Sequence, residues 1–366
     1  MVAILGPALV LFHGGVGRGT AERSLGEAGI TVANQHAAAA TRAGFEKIIL
    51  ATDEPGSFAG PTSITIETIE AAVPFDFDQA LRCIVKQHSL ERPVVMGASA
   101  LPLFDEDGFD QIAHAIDRQG TAVTNNFYSG DLTGWCPGSA IERLPEPVRR
   151  DNLLPRRLRD DGGLEVASLP RTTATQFDLD TPTDLALLSL QPDLSDELAS
   201  ACSISFPLLP RARRLMSLFC DRDKEVTVAG RVGSRTWQYM EGETACRVRV
   251  FSEERGLATA PPGHEPRSGL GFLLEEVGAE RFFGMLESMG DGAIIDSRVL
   301  MAHAGIHPSK EDRFRSDLFD HVAIEDPWLQ EFALAAADSP MPLLLGGHSL
   351  VSGGFMALND AAWAEG

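Results

Sequence analysis

The amino-acid sequence predicts an α/β protein: a doubly wound domain of three layers, followed by a second, smaller α+β domain. Two observations predict the first domain. Short apolar runs alternate with amphipathic stretches over residues 8–124, and a glycine-rich loop directly follows the first apolar run. A strand, loop, helix and strand in this order form a right-handed parallel unit. We therefore expect ligands at the carboxyl ends of the strands.

The individual elements are predicted from their residue patterns. Apolar runs of four or five residues predict buried strands, and apolar residues at helical spacing predict helices. Gly44 follows the first predicted helix, as glycine commonly does at a helix end. The predicted strands are 8–12, 47–51, 63–66, 93–96 and 121–124, and the predicted helices are 31–43, 77–88 and 107–118.

The glycine-rich loop after the first strand is a candidate anion site. Four of its residues are glycines, at positions 14, 15, 17 and 19, so backbone N–H groups are able to converge on an anion. Arg18 adds guanidinium donors that suit phosphate oxygens. The spacing is not that of the dinucleotide-binding loop, because Thr20 stands where the third glycine would fall, and it is not a Walker loop. The alternative is a tight strand-to-helix turn that binds no ligand.

A second motif lies at residues 177–185, Phe-Asp-Leu-Asp-Thr-Pro-Thr-Asp-Leu. Asp178 and Asp180 precede a helix that starts with Pro182. A pair of carboxylates at a strand end suits a divalent metal or a ribose. The alternative is a helix N-cap with a solvated neighbour, because Asp180-Thr181-Pro182 is also a good helix start.

These motifs resemble those of a known family. Residues 9–18, 29–32 and 45–52 look like the opening of the MobA-like nucleotidyltransferases, and residues 177–185 resemble the motif that closes their catalytic domain. The family includes molybdenum-cofactor guanylyltransferase and the phospholactate guanylyltransferases of deazaflavin-cofactor synthesis. The resemblance covers about residues 5–190 and none of the rest.

The resemblance implies a reaction and a set of site residues. It implies transfer of a nucleoside monophosphate from an NTP, such as GTP, to a small anionic acceptor or a hydroxyl, with release of pyrophosphate. Such a transfer depends on positioning and on charge neutralisation by metal and cations. By resemblance, the triphosphate is cradled by Gly14, Gly15, Gly17 and Arg18, and Mg²⁺ is held by Asp178 or Asp180.

The sequence departs from the family pattern at two places. The family's loop continues to a lysine that contacts the phosphates, and here we take Arg23 as its substitute, a forked cation that is never neutral. The family places an aspartate metal ligand shortly before a Pro-Leu pair, and here Ala100 stands in that place. These departures favour an alternative function, a non-catalytic nucleotide- or metabolite-binding protein on the same fold.

A polar segment after the strand predicted at 121–124 is a candidate for holding the sugar or the acceptor. It contains Asn125 and Asn126, whose amides donate and accept hydrogen bonds. The alternative is an ordinary Asn/Gly turn.

Composition limits the class of protein. The chain has 31 Lys and Arg against 52 Asp and Glu, a net charge of −21, which argues against a nucleic-acid polymer as partner. A single nucleotide needs only a local basic patch. The apolar stretches are far too short for a membrane span, and the five cysteines are odd in number with no C-x-x-C pair. We therefore predict a cytoplasmic protein with no membrane partner.

The predicted domain boundary divides the chain into residues 1–200 and 201–366. In the second part, residues 225–251 predict strands, 270–304 helices, and 341–345 a strand before a second glycine loop. His303 and His307 have the i, i+4 spacing of metal ligands but lack the glutamate of H-E-x-x-H. We expect this domain to recognise the acceptor, to mediate assembly into a homo-oligomer, or to carry an activity of its own.

Overall fold

A computed structural model describes residues 4–55, 64–69, 75–192, 194–254 and 263–365. The chain divides into two compact units. The first contains Met1–Val16 and Gly26–Gln176, and the second contains Gly17–Leu25 and Phe177–Gly366. The motif at residues 177–185 thus belongs to the second unit, although the sequence prediction grouped it with the first domain. Whether residues 1–200 fold alone stays a prediction.

A seven-stranded sheet forms the centre of the first unit. Every neighbouring pair of strands is parallel except the two pairs that contain the sixth strand. The strands are β1 (Ile4–His13), β2 (Lys47–Thr52), β3 (Ile64–Thr68), β4 (Leu90–Gly97), β5 (Thr121–Thr124), β6 (Leu132–Cys136) and β7 (Glu165–Ser168). Their spatial order is β3-β2-β1-β4-β6-β5-β7. All five predicted strands are present; Ser63, the predicted start of β3, lies outside the described residues.

Helices cover both faces of this sheet. They are α1 (Thr20–Arg42), α2 (Phe77–Gln87), α3 (Glu106–Ala115), α4 (Leu154–Asp160) and α5 (Thr173–Gln176). In β1, Leu9 and Leu11 pack in one buried cluster with residues of α1 and α3, whereas Ala8 and Val10 pack in another with residues of α2 and α4. Successive side chains of a strand point to opposite faces, so one strand supplies both cores. The predicted three-layer, doubly wound fold is confirmed for this unit.

The first helix begins earlier than the sequence predicts. The prediction starts it at residue 31, because Gly26 and Gly29 lower helix propensity before that point. In the structure these glycines are sites of close approach. A Cβ on Gly26 would lie 2.9 Å from a methyl group of Val16, and a Cβ on Gly29 would lie 3.4 Å from that of Ser99. Packing therefore outweighs propensity in the first turns of α1.

The strand order creates a crevice in the first unit. The chain runs from β1 outward through β2 to β3 on one side of the sheet, and continues with β4 on the other side of β1. The connection that leaves the carboxyl end of β1 therefore runs toward one edge of the sheet, and the connection that leaves the carboxyl end of β4 runs toward the other edge. In open α/β sheets ligands bind at such a switch point.

The second unit contains a separate sheet of four strands, β8 (Glu225–Gly230), β9 (Arg247–Ser252), β10 (Gly292–Asp296) and β11 (Leu343–Gly346). Their order is β11-β10-β8-β9, and all three neighbouring pairs are parallel. The strands alternate with helices, so this unit is α/β and differs from the predicted α+β arrangement. It also contains more of the chain than the first unit, so it is not the smaller of the two.

The sequence analysis did not predict two elements of the second unit. A helix, α9 (Ser234–Glu243), interrupts the stretch predicted as strands, and β10 interrupts the stretch predicted as helices. A five-residue apolar run such as β10 has no periodicity that separates a buried strand from a buried helix. The other helices are α6 (Pro182–Leu188), α7 (Asp196–Ala201), α8 (Leu209–Phe219), α10 (Gly269–Val277), α11 (Ala279–Glu287), α12 (Ser297–His303), α13 (Lys310–Asp317), α14 (Pro327–Asp338) and α15 (Gly353–Glu365).

A buried histidine in the first unit makes its stability depend on pH. His36 of α1 places Nε2 2.8 Å from the carbonyl oxygen of Ala100, and burial lowers its pKa from 6.5 to about 4. A group with a lowered folded-state pKa stabilises the fold above its unfolded pKa, and this stability is lost as the pH falls.

We predict that the free energy of unfolding decreases between pH 6.5 and pH 4 by up to about 1.4 kcal/mol per pH unit because of His36. His36→Gln keeps a donor for the Ala100 carbonyl but does not titrate, so its slope should be shallower. Urea denaturation at a series of pH values measures this. The exposed His114→Gln variant serves as control, and equal slopes for His36→Gln and the wild type would contradict the prediction.

Candidate functional site

A cavity of about 540 Å³ lies in the first unit at the switch point of the sheet. Its walls include Gly14 and Gly15 after β1, Asp53 after β2, and Gly97 at the end of β4. The remaining walls are mostly apolar and consist of Phe12, Ile69, Phe75, Phe77, Val95, Met96 and Leu154. The cavity thus occupies the position at which a doubly wound sheet binds its ligand.

One wall of the cavity is aromatic. The Phe12 ring centroid is 5.2 Å from that of Phe77 and 6.2 Å from that of Phe75, and both pairs are tilted. Phe75 remains 41% exposed. An open aromatic surface of this kind accepts a flat apolar group such as a nucleobase.

The polar rim of the cavity carries charges of both signs. Arg149 and Arg150 line it together with Asp131 and Asp151, and both arginines are exposed. Neither guanidinium forms a hydrogen bond or salt bridge with another residue of the described ranges. Two cations that are available for hydrogen bonds beside an apolar wall suit a ligand that has both an apolar and an anionic part.

The first half of the glycine loop is held by an aspartate. The backbone N–H of Gly15 donates to Asp53 Oδ2 over 3.1 Å, and a Cβ on Gly14 would lie 2.6 Å from Asp53 Oδ1. Gly15 also has φ +64°, a conformation that favours glycine. Asp53 Oδ1 is buried without a hydrogen-bond partner in the described structure. The N–H of Gly15 is therefore bonded to a protein carboxylate and does not face open space.

His13 is the other polar group at the end of β1. It is 9% exposed and lines the cavity, and neither ring nitrogen has a well-formed hydrogen bond to a described residue. Burial lowers the pKa of His13, although the backbone of Gly26 and the carboxylates of Asp53 and Glu54 oppose this shift. The imidazole is therefore neutral at pH 7 and adds no positive charge to the cavity.

Carboxylates also accept the N–H groups in the second half of the loop, which belongs to the second unit. Gly19 N–H donates to Glu22 Oε2 over 3.0 Å. Ala21 N–H and Glu22 N–H donate to Glu311 Oε2 over 3.1 and 3.2 Å. These bonds place negative charge at the N-terminus of α1, which stabilises the helix. The predicted convergence of free N–H groups on an anion is not present in this half of the loop.

The two arginines predicted to contact phosphates lie in this half of the loop. Arg18 is exposed, and Arg23 donates from Nη1 to the Arg18 carbonyl oxygen. The Cβ of a residue at position 17 would overlap the Glu22 carboxylate, which is the end of a flexible side chain that is able to move aside. The roles predicted for Gly17, Arg18 and Arg23 toward phosphate stay predictions.

The motif at residues 177–185 forms a capped helix start in the second unit. Thr181 is the N-cap of α6, with Pro182 in the first turn, and Thr181 and Asp184 form a capping box. Asp184 Oδ2 accepts from Asp180 N–H over 3.0 Å and from Thr181 N–H over 2.8 Å. The helix-start alternative therefore describes the local structure. It does not test whether Asp178 or Asp180 binds metal.

The carboxylates of this motif differ in environment. Asp184 is buried, and its pKa is raised to about 8, first by burial and then by the nearby charge of Asp180. Asp180 is exposed, whereas Asp178 is half-buried and accepts its neighbour's N–H, that of Leu179, over 3.1 Å. Asp178 and Asp180 stay the predicted metal ligands of this motif.

The described residues contain no group of three or more His, Cys, Asp or Glu side chains that could hold a metal ion. Mg²⁺ in proteins often takes only one or two carboxylates and completes its shell with substrate phosphates and water. A Mg²⁺ site with only one or two of these carboxylates stays a prediction. The carboxylates to test are the predicted Asp178 and Asp180 and, lining the cavity of the first unit, Asp53 and Asp131.

Asn125 and Asn126 serve as structural residues of a turn. Asn125 is buried; its amide donates to Asp131 Oδ2 over 2.9 Å and to the Thr175 carbonyl over 3.1 Å, and its oxygen accepts from Asp131 N–H and Leu132 N–H. These bonds fill the capacity of the amide. Asn126 Oδ1 accepts from the N–H of Tyr128, as in an Asx turn. Asn125 thus acts on the cavity indirectly, because it positions Asp131.

Several cavity residues were not among the residues predicted for the site. Asp53 lies two residues after the strand predicted at 47–51, and this strand-end position was the signal that could have found it. Asp131 lies six residues after Asn125, and its Oδ2 accepts from that buried amide. Arg149 and Arg150 had no local signal, because a pair of adjacent arginines is usually a solvated surface feature.

Within the described part of the chain, no helix is long and apolar enough to cross a membrane. All five cysteines are free, in agreement with the prediction that they form no disulfide framework.

Comparisons with known proteins give weak likenesses. No protein-family model matches the chain, and no curated protein sequence matches it. A nucleotidyl transferase from Methanothermobacter aligns with a TM-score of 0.38 at 15% identity, over 49% of this chain and 94% of its own. The 4-diphosphocytidyl-2C-methyl-D-erythritol synthase of Anaerococcus prevotii aligns with a TM-score of 0.33 at 13% identity, over 49% of this chain and 94% of its own. The 2-C-methyl-D-erythritol 4-phosphate cytidylyltransferase of Thermus thermophilus aligns with a TM-score of 0.32 at 15% identity, over 56% of this chain and 99% of its own. At these identities and TM-scores the likenesses carry no argument about activity.

The geometry of the loop predicts different costs for two glycine substitutions in the same cavity. Gly15→Ala should lower the free energy of unfolding by about 1–2 kcal/mol, because a Cβ at φ +64° is strained. Gly97→Ala should be nearly neutral, because its Cβ would lie 3.8 Å from that of Ala100. Urea denaturation of both variants measures the difference, and equal stability of the two would show that the loop conformation is wrong.

Proposed function

We propose that the chain is a nucleotidyltransferase that transfers a nucleoside monophosphate from an NTP to a small phosphorylated or hydroxyl acceptor, with Mg²⁺ and release of pyrophosphate. The observation that supports this proposal is the cavity at the switch point. It combines an aromatic wall with two arginines whose guanidinium groups bond to no other described residue. The motifs at residues 9–18 and 177–185 support it independently through their resemblance to the MobA-like family.

The cavity suits a nucleotide in size and in chemistry. A volume of about 540 Å³ lies within the usual range of small-ligand sites. A base packs against Phe75 and Phe77, while Arg149 and Arg150 neutralise phosphate oxygens. Gly14 and Gly15 allow the ligand to approach the backbone, because they carry no side chain.

The chemistry that we propose is a direct phosphoryl substitution. An oxygen of the acceptor forms a bond to the α-phosphorus of the NTP, the bond from that phosphorus to the bridging α–β oxygen breaks, and pyrophosphate leaves with the electron pair. The protein contributes orientation and positive charge. We assign phosphate contacts to Arg18 and Arg23 and metal binding to Asp178 or Asp180 as proposals, with GTP as the first nucleotide to test. A bound Mg²⁺ would supply charge neutralisation at the leaving pyrophosphate.

A second candidate function is nucleotide or metabolite binding without catalysis. The carboxylates of Asp53, Glu22 and Glu311 accept the loop N–H groups that would otherwise be available to a triphosphate. Ala100, in the place of the family's metal ligand, is buried with its carbonyl bonded to His36. Both observations lower the anion and metal affinity of the site.

The first prediction of this proposal concerns binding. The double variant Arg149→Gln/Arg150→Gln should weaken GTP binding roughly 100-fold or more, because it removes two charged hydrogen bonds that contribute about 1.5–3 kcal/mol each. Isothermal titration calorimetry with a panel of NTPs measures this. Arg118→Gln removes one exposed cation outside the cavity and should leave the affinity unchanged. Equal affinities of the double variant and the wild type would remove this cavity from the nucleotide site.

The second prediction concerns the metal and catalysis. Pyrophosphate release from an NTP and a phosphorylated acceptor should require Mg²⁺, and it should be abolished in the variant that carries Asp178→Asn and Asp180→Asn. The variant with Asp53→Asn and Asp131→Asn tests the carboxylates of the cavity in the same assay. If the second variant alone loses activity, the metal ligands are those of the cavity. A wild type that binds NTP but releases no pyrophosphate with any acceptor would support the binding-protein candidate.

A further inference from the structure

A second cavity, of about 830 Å³, lies in the second unit. Its lining is rich in basic and imidazole groups, namely Arg267, Arg298, Arg313, His264, His303 and His307. Two carboxylates, Glu265 and Glu275, also line it. Arg267 forms a salt bridge of 2.6 Å with Glu265, so Arg298 and Arg313 are the arginines that concern the cavity further.

Arg298 is fixed at one wall of this cavity. It lies two residues beyond the carboxyl end of β10, the edge of a parallel sheet at which ligands bind. Its Nη1 donates to Asp317 Oδ1 over 2.8 Å and to Ser297 Oγ over 3.0 Å, and the side chain is 13% exposed. The partner carboxylate of Asp317 is fully buried. These contacts hold the guanidinium of Arg298 in a fixed position at the wall of the cavity.

Arg313 of α13 carries a positive charge that the described protein groups compensate only in part. Its Nε is buried and has no hydrogen-bond partner in the described structure. Burial and the neighbouring charge of Arg298 lower the pKa of Arg313, and the opposing carboxylates are Asp317, which is already paired with Arg298, and Glu22. A buried donor without an acceptor costs about 1–3 kcal/mol. Arg313 Nε is therefore a donor that lacks an acceptor among the described residues.

His303 provides another donor. It is buried, and its Nδ1 accepts from the N–H of Ser268 over 3.0 Å, which assigns the proton to Nε2. Nε2 lies 3.2 Å from Glu275 Oε1 but makes no well-aligned hydrogen bond to a described residue. His303 and His307 do not share a helix, because α12 ends at His303. Their i, i+4 spacing therefore does not form a helical metal pair.

We propose that this cavity binds a small phosphorylated molecule, with the phosphate group between Arg298 and Arg313 and the Nε2–H of His303 as a further donor. The carboxylates near the two guanidinium groups include Asp317, which is paired with Arg298, Asp296 and Glu22, and none of them accepts from Arg313 Nε, whereas an oxyanion would. The cavity is far larger than a phosphate, so the remainder of the ligand occupies the space lined by Met301 and Ile306.

The test uses inorganic phosphate as the probe and the full chain. The wild type should bind phosphate saturably in calorimetry, and Arg313→Gln should weaken this binding roughly tenfold or more. Arg281→Gln, which removes an exposed cation of α11, should leave it unchanged. The double variant Arg149→Gln/Arg150→Gln should also retain it, which separates this site from the cavity of the first unit and from the proposed NTP reaction.

A measurement on the wild type covers the case in which Arg313→Gln does not fold. Phenylglyoxal modifies arginine, and mass spectrometry locates the modified residues. Phosphate should slow modification of Arg313 but not of Arg281. Absence of saturable phosphate binding, equal affinity of Arg313→Gln and the wild type, or no protection of Arg313 would each overturn the proposal.

Discussion

The parallel pairing of β1 with both β2 and β4 is the constraint on which the first unit depends. β1 is central and buried on both faces, so it supplies residues to two cores. The strand order reverses between β1 and β4, and ligands of open α/β sheets bind at the carboxyl ends of the strands at such a point. The cavity lies there, with Gly14 and Gly15 after β1 and Gly97 at the end of β4 along its edge.

At several points in this protein, side-chain carboxylates accept hydrogen bonds from backbone N–H groups that an external anion could otherwise bind. Asp53 accepts from Gly15, and Glu311 accepts from the first turn of α1. Each bond satisfies a backbone donor that would otherwise be exposed or buried alone. The same bonds place negative charge at the loop that we propose as a triphosphate site. Under that proposal, cations outside the loop, such as Arg149 and Arg150, supply counter-charge for the phosphates.

The two units show how far sequence patterns predict this fold. In the first unit, alternation of apolar runs and amphipathic helices predicted five of the seven strands, whereas β6 and β7 were not predicted. In the second unit, β10 was missed, since a buried five-residue strand has no periodicity of its own. The early start of α1 was missed because helix propensity, which Gly26 and Gly29 lower, does not report the close packing of Gly26 against Val16.

The sequence by itself determined the doubly wound class of the first unit, the position of its glycine loop and the capped helix start at Thr181, because these follow from local propensity and spacing. Only the tertiary structure decided which groups meet. It brought Asp53 to the loop N–H of Gly15 and buried the amide of Asn125 behind Asp131. It also set Arg298 beside Arg313 in the second unit. These contacts depend on the long-range packing of strands and helices. No local sequence pattern predicts a contact between residues that are far apart in the chain.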